Sequence, residues 1–354
     1  MLHNYINFLN KQDGGRQDIK WQTFQHNGVL FPPEYKLINT PLIYDGREII
    51  LNPSAEEAAI FYVKYLNTNY INSKFKRNFW KDFKKLLGDN LGINELDKCD
   101  FSLIQRYVER EREQKMLVSK EENEKRKIEQ KKKDEKFLYA KIDGKQQPVG
   151  NFRIEPPGIF IGRGCHPLLG RIKKRIYPED ITINIGKEAV IPETGFPDRQ
   201  WGEIVNNQEA LWLAKWRENV TGKTKYVWLS DKSDFKADSD KDKFELARKL
   251  KKKLGAIKKI NTENLTSENE KVRQLATALY FIDKLALRVG NEKGKKEADT
   301  VGVSSLRVEH VRLLGNDKVK LDFLSKDSVR YKKKFIVDPQ VYRNLILFTE
   351  NKKN

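Results

Sequence analysis

NFRIEPPGIFIGRGCHPLLGRIKKR, residues 151–175, is the stretch on which the fold turns. Its Pro156-Pro157-Gly158 and Gly162-Arg163-Gly164 elements interrupt regular structure and fix a tight, exposed loop. Glycine lets backbone approach a ligand closely, and Arg163 stands between two of them. Behind it, Arg171, Lys173, Lys174 and Arg175 form a concentrated basic patch suited to phosphates. From these residues alone two readings stay open. One is a basic surface loop with turn glycines. The other is a thin loop that carries Arg163 into a DNA minor groove, where a cation meets focused negative potential.

Outward from this loop the pattern divides. Across residues 137–230, short strands such as Ile181-Thr182-Ile183-Asn184-Ile185 and Tyr226-Val227-Trp228-Leu229 alternate with loops rich in Gly, Pro and basic residues, a β-rich region. Upstream, PLIYDGREIIL (41–51) predicts a hairpin turning at Asp45-Gly46. Asn52-Pro53 then supplies an N-cap and first-turn pair for a helix through Ala58, Phe61, Tyr62 and Tyr65. The next helix puts Phe75, Phe79, Trp80, Phe83, Leu86 and Leu87 on one stripe. Its other face carries Lys74, Lys76, Arg77, Lys81 and Lys84, either a solvated face or a DNA-facing ridge. Residues 103–137 are helical, highly charged and exposed on most sides, with a capping box at Ser119 and Glu122 restarting the helix.

Beyond Asp231 the pattern is helical again, with Leu246, Leu250 and Leu254 four apart. A capping box at Ser267 and Glu270 predicts a helix whose apolar stripe runs through Leu275, Leu279, Ile282 and Ala286, widened by Leu285. Arg288 closes that helix and Gly290 is placed just past its end. Val319, Leu321 and Phe323 alternate as a strand, Ser325-Lys326-Asp327 turns, and Val329 and Tyr331 return, a hairpin with a lysine at its tip. The fold class expected is α+β.

Composition narrows the partners. A chain of 354 residues with 38% hydrophobic content holds two or more packed domains, although 34% of it is charged. Sixty-nine Lys and Arg against fifty Asp and Glu leave a net charge of +19, which suits a polyanion because each neutralised phosphate releases counterions. Acidic proteins and anionic membrane surfaces share that class. No run of eighteen apolar residues predicts a membrane span, and the first residues lack a secretory pattern. Two cysteines make no disulfide framework and fit a reducing compartment; four scattered histidines predict no zinc site.

Two residues carry the candidate chemistry. Arg288 is either a C-terminal helix cap favoured by the macrodipole or a planar fork able to hold two oxygens of a pentavalent phosphate. Lys326, at a hairpin tip, reads from the residues alone as a solvated turn lysine. The chain has no GxxxxGK[ST], no HExxH and no acidic cluster spaced for two metals, so neither metal nor cofactor is expected. A metal-free opening of a phosphodiester needs a protein nucleophile, cations around the phosphate and an acid for the leaving oxygen.

Seven runs carry a resemblance. They are HNGVLFPPEY (26–35), RNFWKDF (77–83), NFRIEPPGIFIGRGCHP (151–167), RIYPEDITINIGK (175–187), ALYFIDKLALRVGNEK (278–293), ADTVGVSSLRVEH (298–310) and DFLSKDSVRY (322–331). In order across residues 20–350, the chain resembles the eukaryotic DNA topoisomerase I family, type IB. The resemblance implies a bilobed DNA clamp: an arm at 1–19, a cap at 20–230 (32–118 helical, 119–230 β-rich), and the largely helical start of a catalytic subdomain at 231–354. It implies that Arg288 binds the scissile phosphate and that Lys326 protonates the leaving 5′ oxygen. Lys115, Arg163, Trp212, Lys225, Tyr226, Lys243, Asn291, Lys293 and Thr300 are the DNA contacts it implies. Phe160, Gly162, Arg163 and Asp327 would flank a camptothecin pocket. Duplex DNA is the implied partner, the nucleus the implied location, and no metal, ATP or other cofactor is implied.

The departures set a further expectation. The family's second arginine, its histidine and its tyrosine in an S-K-x-N-Y context are not found here, and none of the thirteen tyrosines sits in that context. The chain alone is therefore expected to be inactive, with a separate tyrosine-bearing segment or subunit as a further partner. The alternative is a non-catalytic duplex-binding protein built on the same clamp; a recombinase shares the Arg and Lys logic, but the cap runs argue against it.

Overall fold

The computed structural model describes residues 19–88, 91–294 and 296–350; the arm expected at 1–19 lies, up to residue 18, outside them. Seven α-helices and fifteen strands among the described residues make the fold α+β, as its class was expected to be. The chain forms two compact units interleaved in sequence. The first takes the chain up to Thr68, Trp80–Ile159 and Ile172–Asp240; the second takes Asn69–Phe79, Phe160–Arg171 and the chain from Lys241 onward.

In chain order the elements begin with β1 (Phe24–Gln25), the hairpin β2 (Leu42–Tyr44) and β3 (Arg47–Ile49), α1 (Pro53–Val63) and α2 (Ser73–Leu87). There follow β4 (Cys99–Asp100), α3 (Ser102–Leu117), α4 (Lys120–Glu135) and the hairpin β5 (Tyr139–Ile142) and β6 (Lys145–Pro148). Next come β7 (Gly158–Ile159), β8 (Ile172–Lys173), β9 (Ile181–Asn184), β10 (Glu203–Val205), β11 (Trp212–Arg217) and β12 (Thr224–Trp228). The last elements are α5 (Asp234–Asn264), α6 (Glu270–Leu285), β13 (Val311–Leu313), β14 (Lys318–Leu324), β15 (Arg330–Ile336) and α7 (Pro339–Thr349).

In the first unit, local chemistry sets the elements as the sequence predicts. Asp45 and Gly46 both take positive φ (47° and 77°), the mirror-image turn that matches strand twist. The Asn52 side chain accepts from the Ala55 amide and caps α1, and the Ser119 hydroxyl accepts from the Glu122 amide at the start of α4. Helix α2 begins in the second unit and ends in the first, and its Phe75, Phe79 and Phe83 are fully buried at i, i+4, i+8. The four-stranded sheet runs β10-β9-β11-β12, with β9 and β10 parallel and the other pairs antiparallel. Its inner face, through Ile181, Ile183, Ala214, Trp216 and Val227, joins Trp21, Phe24, Phe137 and Phe152 in one core. Asn184, fully buried in that core, donates to the carbonyls of Asn207, Ala210 and Trp212 and accepts from the Asn207 amide. His26 sits beside it, its Nε2 3.0 Å from the Asn184 carbonyl and its Nδ1 accepting from the Gly28 amide.

In the second unit β14 lies between β13 and β15, and the sheet packs with α6 and α7. Val319, Leu321 and Phe323 point inward, as their alternation predicts. Helix α6 departs from its sequence reading in three ways. Its cap is Asn269, which accepts from the Lys271 amide, while Ser267 instead accepts from the Asn269 amide one turn earlier. Its buried residues are Ala276, Thr277 and Phe281, whereas Leu275 is 62% exposed. Asn344 of α7, itself buried, donates to the Leu265 carbonyl and the Thr277 hydroxyl, while Ile282 and Leu285 of the expected stripe pack half-buried against the same core. The helix also stops at Leu285, because Ala286 turns left-handed (φ 52°), so Arg288 and Gly290 lie beyond it, Gly290 itself with φ 88°. Helix α5 exists as predicted, with Leu246, Leu250 and Leu254 on its exposed surface.

Candidate nucleic-acid interface

The loop Phe160–Arg171 is built within the second unit. Its base closes where the Phe160 amide donates to the Arg171 carbonyl and the Gly170 amide to the Phe160 carbonyl, both at 2.8 Å. Helix α2 holds the rest of it. Asn78 Nδ2 donates to the carbonyls of Pro167 and Leu169, and Lys74 Nζ donates to the Cys165 carbonyl. Phe160 meets His166 edge to face with centroids 4.8 Å apart, folding the loop over its own ring pair. Gly162 and Gly164 take φ of 67° and 57°. Position 162 also has no room for a Cβ, which would stand 2.6 Å from the Cβ of His166.

The hairpin β14–β15 brings a second segment to this loop. Its stem is held by Phe323 stacked on Tyr331 and by the Arg330 fork on both oxygens of Asp322 (2.8 and 3.1 Å). The Arg330 hydrogen bonds hold the Asp322 carboxyl down to about 2. At the tip Asp327 and Ser328 both have positive φ, and the Ser325 amide and hydroxyl each donate to the Val329 carbonyl at 2.8 Å. Arg163 forms an ion pair with Asp327. Beside them Gly164 faces Ser328 so closely that a Cβ would stand 2.5 Å from the serine Oγ. Arg163, Phe160, Gly162 and Asp327 are thus brought together, with Lys326 next in chain. The Arg163 side chain is 66% exposed and its pair is weak enough, about 0–1 kcal/mol, for a phosphate to displace the carboxylate.

Arg288 reaches the same neighbourhood through backbone. The Val303 amide donates to the Arg288 carbonyl (2.9 Å), the Ser304 amide to Val289 (2.8 Å), and the Val301 amide to Leu324 at the end of β14 (2.8 Å). The segment 301–304 therefore joins Arg288 to the strand that leads to Lys326. Gly290 and Gly302 make this possible, since a Cβ on either would stand 2.5–2.6 Å from the other's Cα and nitrogen. Gly290 serves a backbone crossing, not the helix end the sequence assigned to it. Arg288 and Lys326 are both exposed, and among the described residues neither side chain has a partner. Asn291 and Lys293 are exposed and Thr300 half-buried. Lys293 lies 3.8 Å from Asp299, which the Arg307 fork grips at 3.0 and 3.1 Å and holds below the usual carboxylate range.

The other expected contacts are spread more widely. Trp212 is buried in β11; Tyr226 is half-buried and Lys225 exposed in β12, all in the first unit. Lys115, in the last turn of α3, is exposed 3.7 Å from Glu111. Lys243 is exposed on α5. The basic patch behind the loop is smaller than the sequence suggests. Arg175 is turned inward onto Glu57 (2.6 Å) and the Pro33 carbonyl (2.7 Å), and Lys173 pairs with Glu155. Two of the four cations are thus spent on structure, while Lys174 stays exposed. Sequence reasoning missed Asn78, Ser304 and Gly302 as holders of the site. All three lie inside runs that carry the resemblance, Asn78 in RNFWKDF and Gly302 and Ser304 in ADTVGVSSLRVEH, but no local pattern marked them as holders.

Three findings compare this chain with known proteins. Residues 19–229 match the family model described as eukaryotic DNA topoisomerase I, DNA binding fragment. Residues 232–354 match the model described as eukaryotic DNA topoisomerase I, catalytic core. Among curated relatives, DNA topoisomerase 1 beta of Arabidopsis thaliana is 45% identical over 335 residues, covering 94% of this chain and 36% of the relative. DNA topoisomerase 1 of Schizosaccharomyces pombe is 46% identical over 335 residues (93% and 41%), and that of Homo sapiens 43% over 348 (95% and 45%). The chain spans less than half the length of each of these relatives.

Proposed function

The chain belongs to the eukaryotic DNA topoisomerase I family, and from that membership we propose that it is the DNA-gripping core of a type IB topoisomerase, acting in the nucleus on duplex DNA. The observation that carries the proposal is the meeting of the Arg163 loop with the Lys326 hairpin, joined by backbone to Arg288. Two cations from distant parts of the chain then serve one phosphodiester, and a third the minor groove beside it. Arg288 stabilises the charge that grows on the phosphorane, and Lys326 supplies the proton to the leaving 5′ oxygen. Arg163 exchanges Asp327 for the minor groove. The whole enzyme's tyrosine attacks the phosphate, forms a 3′-phosphotyrosine, and reverses after strand rotation, with no ATP or metal in the cycle. Trp212, Lys225, Tyr226, Lys115, Lys243, Asn291, Lys293 and Thr300 hold the duplex.

Residues 1–354 do not themselves supply that nucleophile in this reading. Tyr331, nearest the hairpin, stacks on Phe323, and burial raises its pKa, which makes a poor phenolate. Relaxation then needs a tyrosine-bearing segment that also brings a second arginine and a histidine. The camptothecin pocket of Phe160, Gly162, Arg163 and Asp327 is completed by the same segment.

The test has two arms. Duplex affinity should fall by about 10³–10⁵ between about 50 and 200 mM salt if six to ten phosphates are neutralised. Arg163→Ala should weaken it more than Lys145→Ala, an exposed cation on β6 outside the loop. With the tyrosine-bearing segment added, supercoil relaxation should appear without metal, and Arg288→Ala should abolish it. A flat salt response sinks DNA binding; relaxation by residues 1–354 alone sinks the assignment of the nucleophile.

A further inference from the structure

The β9–β12 sheet extends past Trp212, Lys225 and Tyr226, the residues the duplex reading uses there, to outer-face groups which that reading does not use. Val227 and Ala214 point into the core, so strand alternation turns Tyr226, Trp228 and Lys215 to the opposite face. There Trp212, Tyr226 and Trp228 form a continuous run of rings, with centroid spacings of 6.1 and 5.2 Å. Lys215 Nζ lies 5.0 Å from the Trp212 ring, and Arg217, next on that face, is exposed. Trp212 is covered by its neighbours, but Trp228 at the end of the run leaves 46% of its surface in water. From Trp212 to Trp228 there are four cations, Lys215, Arg217, Lys223 and Lys225, against one carboxylate. That carboxylate, Glu218, is turned into its own loop, where it accepts from the Val220 and Thr221 amides and the Thr221 hydroxyl.

We propose that this face is a stacking platform for single-stranded nucleic acid, with an unpaired base seated on Trp228 and the adjoining phosphates on Lys215 and Arg217. Rings supply π-faces that any base can cover, and cations beside them meet the backbone. In a duplex the internal base faces are already stacked, so a base can stack on the exposed indole only where it is unpaired. The inference rests on the chain being a DNA-binding protein, but it concerns Trp228, which lies outside the duplex contacts assigned above.

The experiment measures binding of an oligo-dT strand of about 12 nucleotides and of a duplex to the full chain at one salt concentration. Trp228→Ala should weaken single-strand binding roughly five- to hundredfold and leave duplex binding unchanged, and Trp228→Tyr should recover most of the loss. Lys215→Gln should lower single-strand affinity and reduce its salt slope by about one contact. Equal loss on both ligands, failure of Tyr to rescue, or an unaffected single strand with normal duplex binding overturns the platform. If the native chain binds neither ligand, the family function fails with it.

Discussion

Gly302→Ala and Gly255→Ala are the same chemical change with opposite expected signs. Gly302 has φ −121° and ψ −169°, ordinary extended backbone, so alanine there pays no left-handed penalty. Its Cβ would nevertheless stand 2.5 Å from the Cα and nitrogen of Gly290 and 2.6 Å from the Val289 carbonyl. All three are backbone atoms and cannot rotate away. Either the crossing opens, losing the bonds Val303 N–Arg288 O and Ser304 N–Val289 O, or the buried Val301 and Val303 shift. Overpacking costs about 1–3 kcal/mol and each lost backbone bond about 1 kcal/mol, offset by about 0.4–1 kcal/mol from a stiffer unfolded chain. The net expectation is a loss of roughly 1–2.5 kcal/mol. Gly255 lies inside α5 with nothing within 4 Å of its Cβ position, so alanine should stabilise by about 0.5–1 kcal/mol. Urea titration followed by far-UV circular dichroism reads both changes. All six tryptophans lie in the first unit, so their emission serves as an internal reference that should move less. Amide exchange should quicken at Val303 and Ser304 in the Gly302 variant. Unchanged protection there, or midpoints that shift the same way in both variants, would refute the backbone crossing that ties Arg288 to the hairpin.

Three further outcomes are expected. Burial lowers the His26 pKa to about 4, below its unfolded value, so the unfolded chain takes the proton first as pH falls; stability is full above about pH 6.5 and declines by about 3 kcal/mol as pH approaches 4. Tryptophan-monitored urea midpoints should show that slope in the native chain and lose it in His26→Asn; an identical slope in both rules His26 out. Arg175→Ala should cost about 3–5 kcal/mol by stranding the largely buried Glu57, while Lys174→Ala should leave stability within about 0.5 kcal/mol and reduce the salt slope of DNA binding. A reversed pattern would return Arg175 to the phosphate patch. Asp327→Asn keeps a residue that tolerates φ 67° and releases Arg163, so duplex affinity should rise severalfold at low salt; a fall would make Asp327 a positioning residue for that arginine.

What was legible in the sequence was what local chemistry decides. Asp45-Gly46, Asn52-Pro53 and Ser119–Glu122 each prescribe a turn or cap within a few residues, and each forms where it was expected. The strand alternation of Val319, Leu321 and Phe323 was equally plain, because a period of two leaves little freedom once one face is buried. Helix α6 was less legible, because its strongest leucine stripe is not the one it buries. The face it buries carries Ala276, Thr277 and Phe281, and Asn344, which meets Thr277, lies 67 residues away, where no local pattern points to it. The four cations after the glycine loop also looked alike in sequence. Burial against Glu57 and pairing with Glu155 separate Arg175 and Lys173 from Lys174, and neither acidic partner announces itself at a distance.

The candidate site was legible as residues but not as a place, and the glycines show why. Gly162 and Gly164 read as turn formers and Gly290 as the residue just past a helix end, since that is what a glycine most often does there, and Gly302 drew no reading at all. Gly164 has the positive φ of a turn, yet its closest constraint is Ser328, on a hairpin tip far along the chain. Gly302 has no unusual φ at all, and only the backbone of Gly290 forbids it a side chain. A glycine required by its own torsion angles is a local signal. A glycine required by another segment marks a crossing, and sequence cannot tell the two apart. The crossings at Gly164 and at Gly290–Gly302 each hold a cation in place, one drawing the Arg163 loop onto the hairpin that carries Lys326, the other fixing Arg288 to the strand beneath it. The chemistry therefore depends on backbone approaches that any side chain larger than hydrogen would open, which is why alanine at 302 should disturb Arg288 without touching it.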